Sequence, residues 1–113
     1  MPVIYKIAPA SLWREAEKAG VFIGAPVDLA DGFIHFSTAN QARETAAKHF
    51  AGQSDLVLVS IDAKRLGAEL KWEPSRGGDL FPHLYRPLLV EETSSVDPLP
   101  WNGHSHDFGA ILR

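Results

Sequence analysis

The 113-residue chain contains no cysteine, which excludes a disulfide framework, a thiolate nucleophile and a Cys-ligated zinc. It also lacks a cluster of basic residues. Eleven Lys and Arg stand against fourteen Asp and Glu, for a formal net charge of −3. Duplex nucleic acid requires a basic footprint and is therefore not an expected partner. A single bound nucleotide needs only a few local donors and stays compatible with this balance. No apolar run approaches the roughly 20 residues of a membrane-spanning helix. The first residues lack the basic-then-apolar pattern of a secretory signal. The expectation is a cytoplasmic chain with no membrane partner, and nothing in the pattern sets an oligomeric state. Repeats, low-complexity tracts, a glycine-rich dinucleotide fingerprint, a Walker loop, a hydrolase elbow and an HExxH motif are all missing.

What is present suits one ordinary folded domain over residues 1–113. Hydrophobic residues make up 45% and charged residues 22%, enough for a core without staples. Val3 to Ile7 reads as a strand. Pro9 and Ser11 lead into a helix from Leu12 to Ala19, stopped by Gly20, with Leu12, Ala16 and Ala19 as its apolar stripe and Trp13 beside them. Residues 21–30 read as an irregular connection. Phe33 to Ser37 reads as one short strand after the Asp31-Gly32 turn. Thr38 and Gln41 have the spacing of a capping box, and the helix they open runs to about Gly52. Leu56 to Ile61 is a near-continuous apolar run, expected as a central strand. A helical turn from Asp62 to Leu66 follows. Strands are then expected at Leu70–Glu73, within Leu80–Arg86 and at Leu88–Glu92, and residues 99–113 as an extended C-terminal tail. Helices early and strands late imply an α+β fold.

Four segments carry candidate chemistry. On a strand, Phe33, His35 and Ser37 share a face that ends at the helix opened by Thr38. Amides and the dipole at such a terminus suit a phosphate or carboxylate, and a nearby imidazole can bind a sugar hydroxyl or move a proton. In Trp72-Glu73-Pro74-Ser75-Arg76-Gly77-Gly78, an aromatic ring and a carboxylate precede a loop with the glycines to close over a ligand. In Phe81-Pro82-His83-Leu84-Tyr85-Arg86, alternation puts Phe81, His83 and Tyr85 on one face, where rings can stack on a base. His104-Ser105-His106-Asp107 has the residue types of a metal site. In a Gly/Pro-rich tail, exposed histidines are the simpler reading, and no metal is expected.

Gly32-Phe33-Ile34-His35-Phe36-Ser37-Thr38, Ile4-Tyr5-Lys6-Ile7, Trp72-Glu73 and Phe81-Pro82-His83-Leu84-Tyr85, in that combination, resemble a bacterial family known as domain of unknown function 952. The likeness extends to about Val96. That family is similar in fold to the ADP-ribosyltransferases. The resemblance implies two small, mostly antiparallel sheets around a cleft, with two N-terminal helices, and NAD as the cofactor. It also implies His35 at the ribose, with Ser37 and Thr38 following and Phe81 or Tyr85 stacking on the ring. No residue sits in an unmistakable catalytic-Glu motif; Glu73, Glu91 and Glu92 are candidates by type and strand placement alone. The expected catalytic residues are His35, Glu73 and His83. The expected cofactor-binding residues are Ser37, Thr38, Trp72, Phe81 and Tyr85. The expected function is binding or cleavage of NAD or an ADP-ribose-containing nucleotide around His35. The alternative is a non-catalytic nucleotide- or metal-sensing or interaction domain, motivated by His104 and His106.

Overall fold

The computed structural model describes residues 2–112, the side chain of Arg76 excepted; Met1 and Arg113, the ends of the expected domain, lie outside the described residues. Strand β1 (Val3–Pro9) pairs antiparallel along its whole length with β5 (Leu56–Asp62). On one side β1 also pairs with the two-residue β4 (Ser37–Thr38), and β5 pairs with β9 (Ser95–Leu99), giving a four-stranded sheet in the order β4-β1-β5-β9. A three-stranded antiparallel sheet has the order β3 (Ile34–His35), β7 (Leu80–Leu84), β6 (Leu70–Pro74). Two residues of β2 (Val21–Phe22) pair with two of β8 (Leu88–Leu89).

The two inner strands of the four-stranded sheet, β1 and β5, are buried on both faces, as the apolar run in β5 requires. One face, with Ile4, Val59 and Ile61, packs on Trp13 and Ala16 of helix α1 (Ala10–Ala19) and on Ile34, Leu84 and Leu88. The other, with Tyr5, Ile7, Leu56 and Leu58, packs on Ala42 and Ala46 of helix α3 (Ala39–His49) and on Phe108. Helix α2 is the six-residue segment Pro26–Asp31.

The α+β class, the early helices and the central strand match the sequence reading. Gly20 ends α1 in the left-handed region at φ 80°, its N–H donating to Ala16 O at 2.8 Å, which is the glycine C-cap expected there. Four expectations are corrected, and one strand lies where no element was expected. The α1 stripe is Ala10, Trp13 and Ala16 with Leu12 partly buried against the same core, while Ala19 is exposed. Residues 21–30 hold β2 and most of α2 rather than an irregular connection, so the described residues form three α-helices and three small sheets, not two of each. Phe33 to Ser37 is not one strand: Ile34–His35 and Ser37–Thr38 belong to different sheets. Leu88–Glu92 is a two-residue strand followed by a 3-10 turn at Val90–Glu92. Ser95–Leu99 is a full edge strand despite Pro98, because an edge position tolerates a residue that cannot donate.

A cavity walled by two sheets

The functional geometry follows from the break at Phe36. The Phe36 ring is buried in the main core at 3% exposure and its N–H donates to Pro82 O at 3.0 Å. The chain thereby leaves the three-stranded sheet after His35 and joins the four-stranded sheet at Ser37. Side chains on either side of this crossing face a common cavity of about 730 Å³, within the size range of small-molecule sites. Its lining includes Tyr5, Lys6 and Ile7 of β1, Asp31 of α2, His35, Ser37, Thr45 and His49 of α3, Phe81 and His83.

His35 and His83 are directly opposed in the β3–β7 register, and their rings meet edge to face with centroids 5.5 Å apart. They are neighbours on one wall, not groups looking across the cavity from opposite sides. Phe33 stacks on His83 at 4.1 Å and lies 4.7 Å from His35 and 5.2 Å from Tyr85.

Each imidazole is oriented by carboxylate. His35 Nδ1 lies 2.6 Å from Asp28 Oδ1, and its Nε2 lies 2.9 Å from Asp31 Oδ2. An imidazole can donate from both nitrogens only as the imidazolium. His83 donates from Nδ1 to Glu73 Oε1 at 2.8 Å, and the same oxygen accepts from the Tyr85 hydroxyl at 2.7 Å. That bond fixes the His83 tautomer, so a neutral ring presents the lone pair of Nε2, which meets no protein hydrogen-bond partner among the described residues. The bonds from Tyr85 and His83 hold the Glu73 carboxyl below its usual range, while the same contact raises the Tyr85 phenol.

Asp28, 2% exposed, organises the site from below. It accepts from the Lys6 ammonium at 2.8–2.9 Å, the Ala25 N–H at 2.7 Å, the His35 N–H at 3.0 Å and His35 Nδ1. Burial on its own would raise the Asp28 carboxyl. The His35 and Lys6 contacts outweigh it and bring the value down to about 2. Burial lowers the Lys6 ammonium against the opposing pull of Asp28.

Of the residues named from sequence, His35, Ser37, Phe81 and His83 line the cavity. Glu73 and Tyr85 reach it only through His83, so Glu73 is a positioning group and Tyr85 its partner rather than a stacking ring in the wall. Two of the named residues lie away from the cavity. Trp72 alternates with Glu73 on β6, so it faces the opposite side of the sheet. Thr38 does not line the cavity, and its N–H is already donated to Gln41 Oε1 at 3.0 Å, half of the expected capping box. The cavity runs beside the middle of α3, at Thr45 and His49, rather than over its N-terminus. The mobile-loop sequence after Glu73 forms a 3-10 turn, Arg76–Gly78, and Ser75 before it touches the cavity.

Lys6, Asp28 and Asp31 were missed as site residues, and Phe33, named on the candidate face, was given no role. Of the tail histidines, expected to be exposed, His104 is exposed and His106 is not: His106 is buried, its Nε2 lies 2.9 Å from Gln53 O, and its ring meets Trp101. Among the described residues, no group of His, Asp and Glu is arranged to hold a metal ion. Nor is any helix among them long and apolar enough to cross a membrane.

A family model described as "Protein of unknown function (DUF952)" matches residues 7–96. The crystal structure of protein CC0527 from Caulobacter crescentus is 52% identical and superposes with a TM-score of 0.90, covering 93% of both chains. The solution NMR structure of the same protein is 53% identical with a TM-score of 0.84, covering 94% of this chain and 91% of that one. The comparison with curated proteins found no match.

Proposed function

The chain belongs to the DUF952 family, whose description assigns no activity, and from its geometry we propose that the cavity binds NAD or an ADP-ribose-containing nucleotide and acts on the ribosyl bond. The observation that carries this reading is the pairing of two carboxylate-oriented imidazoles, His35 and His83, on the wall of one cavity that also reaches Ser37 and Phe81. In this reading Phe81 packs against the heterocycle. Ser37 supplies a polar contact to a ribose hydroxyl. His35, held between Asp28 and Asp31, orients the sugar.

The reaction class is transfer at the ribose C1. The bond from C1 to the nicotinamide nitrogen breaks with its electron pair leaving on nicotinamide. Water or another nucleophile forms the new bond and gives up its proton, for which His83 Nε2 is the available base. Positive charge develops on the ribose as the bond breaks, and Asp31, the carboxylate in the cavity lining, stabilises it electrostatically. No covalent protein nucleophile is needed; orientation supplies much of the rate.

The test is incubation with NAD and assay for free nicotinamide, with the His35→Ala protein alongside. Release by the native protein that drops at least about tenfold in the variant is expected; equal traces from both would remove the activity. A thermal shift reads binding separately. A ligand at about 100 times its dissociation constant adds about 2.7 kcal/mol, a shift of several degrees for this size.

A further inference from the structure

A second cavity, of about 290 Å³, lies between α3 and the C-terminal tail and shares no lining residue with the larger one. Arg43, Ala46 and Ala47 have the spacing that puts them on one face of α3, and Trp101 and His104 to His106 border the cavity from the tail. Backbone bonds hold this part of the tail. Trp101 and His106 form an antiparallel bridge, and the Asn102 N–H donates to Ser105 O at 3.0 Å. Asn102 Oδ1 accepts from the His104 and Ser105 N–H groups at 2.9 Å each. His106 ties the turn to the loop after α3 through Nε2, 2.9 Å from Gln53 O. The turn thus uses main-chain groups and the Asn102 side chain. The side chains of His104 and Ser105 meet no protein partner among the described residues.

The Arg43 guanidinium carbon lies 5.1 Å from the centre of the Phe108 ring, which also lines the cavity. Arg43 meets no carboxylate among the described residues, and no Asp or Glu among them lines the cavity. Asp107, next in the tail, turns Oδ1 to the Gly109 N–H at 2.9 Å. In a chain of net charge −3, this cavity is therefore bordered by a permanent cation with no counter-ion. A guanidinium presents paired N–H donors that match a carboxylate in charge and shape, and an imidazole offers an N–H whether neutral or charged. Ala46, Ala47 and Trp101 add apolar surface that an inorganic anion would leave unused. The volume sits at the bottom of the roughly 300–1,000 Å³ range of small-molecule sites, which suits a single ring and not a dinucleotide.

We infer that this cavity binds a small organic carboxylate. Arg43 pairs with the carboxylate, His104 and Ser105 donate to it, and the organic body rests against Ala46, Ala47 and Trp101. The tail half of the site lies beyond residues 7–96 matched by the family model, so the family match does not carry it. It is also independent of the nucleotide reading of the larger cavity.

Benzoate is the probe, with benzamide as its uncharged analogue and inorganic phosphate as an anion without an apolar body. In NMR titrations of the full chain, benzoate is expected to give saturable amide shifts over residues 43–51 and 101–106. Benzamide and phosphate should each bind at least about tenfold more weakly. Arg43, Ala47 and His104 are exposed, so substitutions there leave the fold intact, which thermal midpoints check. Arg43→Gln should weaken benzoate at least about tenfold and His104→Gln a fewfold. Arg43→Lys keeps the charge without the planar fork and should fall between native protein and Arg43→Gln. Ala47→Leu takes up space without altering charge and should weaken binding as well. Absence of saturable shifts at 101–106, benzamide or phosphate binding as tightly as benzoate, or benzoate binding undiminished by Arg43→Gln overturns the inference. None of these outcomes touches the reading of the larger cavity.

Discussion

Replacing Asp28 with Asn tests the organising role given to this carboxylate. The side chain is buried and accepts from four donor groups on three residues, Lys6, Ala25 and His35. Removing its charge leaves the Lys6 ammonium buried without a counter-ion, which costs about 3–5 kcal/mol. A ceiling comes from the escape route: Lys6 can lose its proton, and from an ordinary lysine value that costs about 5 kcal/mol at pH 7. Urea unfolding at pH 7 should therefore show Asp28→Asn about 3–5 kcal/mol less stable, with Lys6→Met similarly damaging. The double variant should fall short of the sum by about 2 kcal/mol or more, because neither charge is then orphaned. It should not regain native stability, since the Ala25 and His35 amides lose a strong acceptor. The acid limb supplies a second reading. The Asp28 value falls from 3.8 to about 2 on folding, so its contribution is present above pH 4 and lost as pH drops towards 2. That contribution is about 2 kcal/mol, and the gap between native protein and Asp28→Asn should narrow by this amount between pH 5 and pH 2. Additive single variants, or an Asp28→Asn cost below about 1 kcal/mol, would refute the hub.

Other positions give independent checks. Gly24→Ala places a methyl 2.9 Å from Asp28 Cβ at a residue with φ 122°; a loss of about 1–3 kcal/mol and a displaced His35 ring signal in NMR spectra are expected. Leu84→Ala, at a fully buried position beneath the His83 wall, should cost about 2–5 kcal/mol by thermal denaturation. Phe108→Ala should cost about 3–5 kcal/mol and raise amide exchange across residues 100–112, because that ring anchors the tail to α3 and β1. Glu73→Gln should leave the fold intact and release the His83 tautomer, visible as a change in its ring nitrogen shifts, since the Gln side chain can either donate or accept.

Long-period features were the legible ones. The capped α3, the glycine stop of α1 and the apolar run of β5 each repeat a signal over many residues, and packing agreed with all three. Short elements escaped, because two-residue strands such as β2, β3 and β4 have no period to read. Helix α2 did leave a signature: Pro26 at its first position, Asp28 two residues on and Gly32 beyond its end, the last at φ 87°. Six residues with exposed Val27 and Leu29 give no apolar stripe, and the segment therefore resembles a loop.

That omission explains why only part of the site was visible. Phe81 and His83 lie on a segment whose alternation was readable, whereas His35 and Ser37, expected on one strand, reach the cavity from two different sheets. Lys6 and Asp28 are 22 residues apart and meet only because α2 returns beneath β1. From sequence, Lys6 is one polar position in a strand and Asp28 one acid in a loop, each most economically left in water. Burial reverses that judgement: two opposite charges can leave water together when hydrogen bonds satisfy the remainder, and here the backbone amides of Ala25 and His35 do so. The His35 amide and ring answer to the same carboxylate, so the ring cannot be reoriented without disturbing a buried ion pair. A hub of this kind adds little net stability compared with an apolar core of the same shape. What it adds is a fixed direction for one imidazole, the property on which the proposed ligand contact rests.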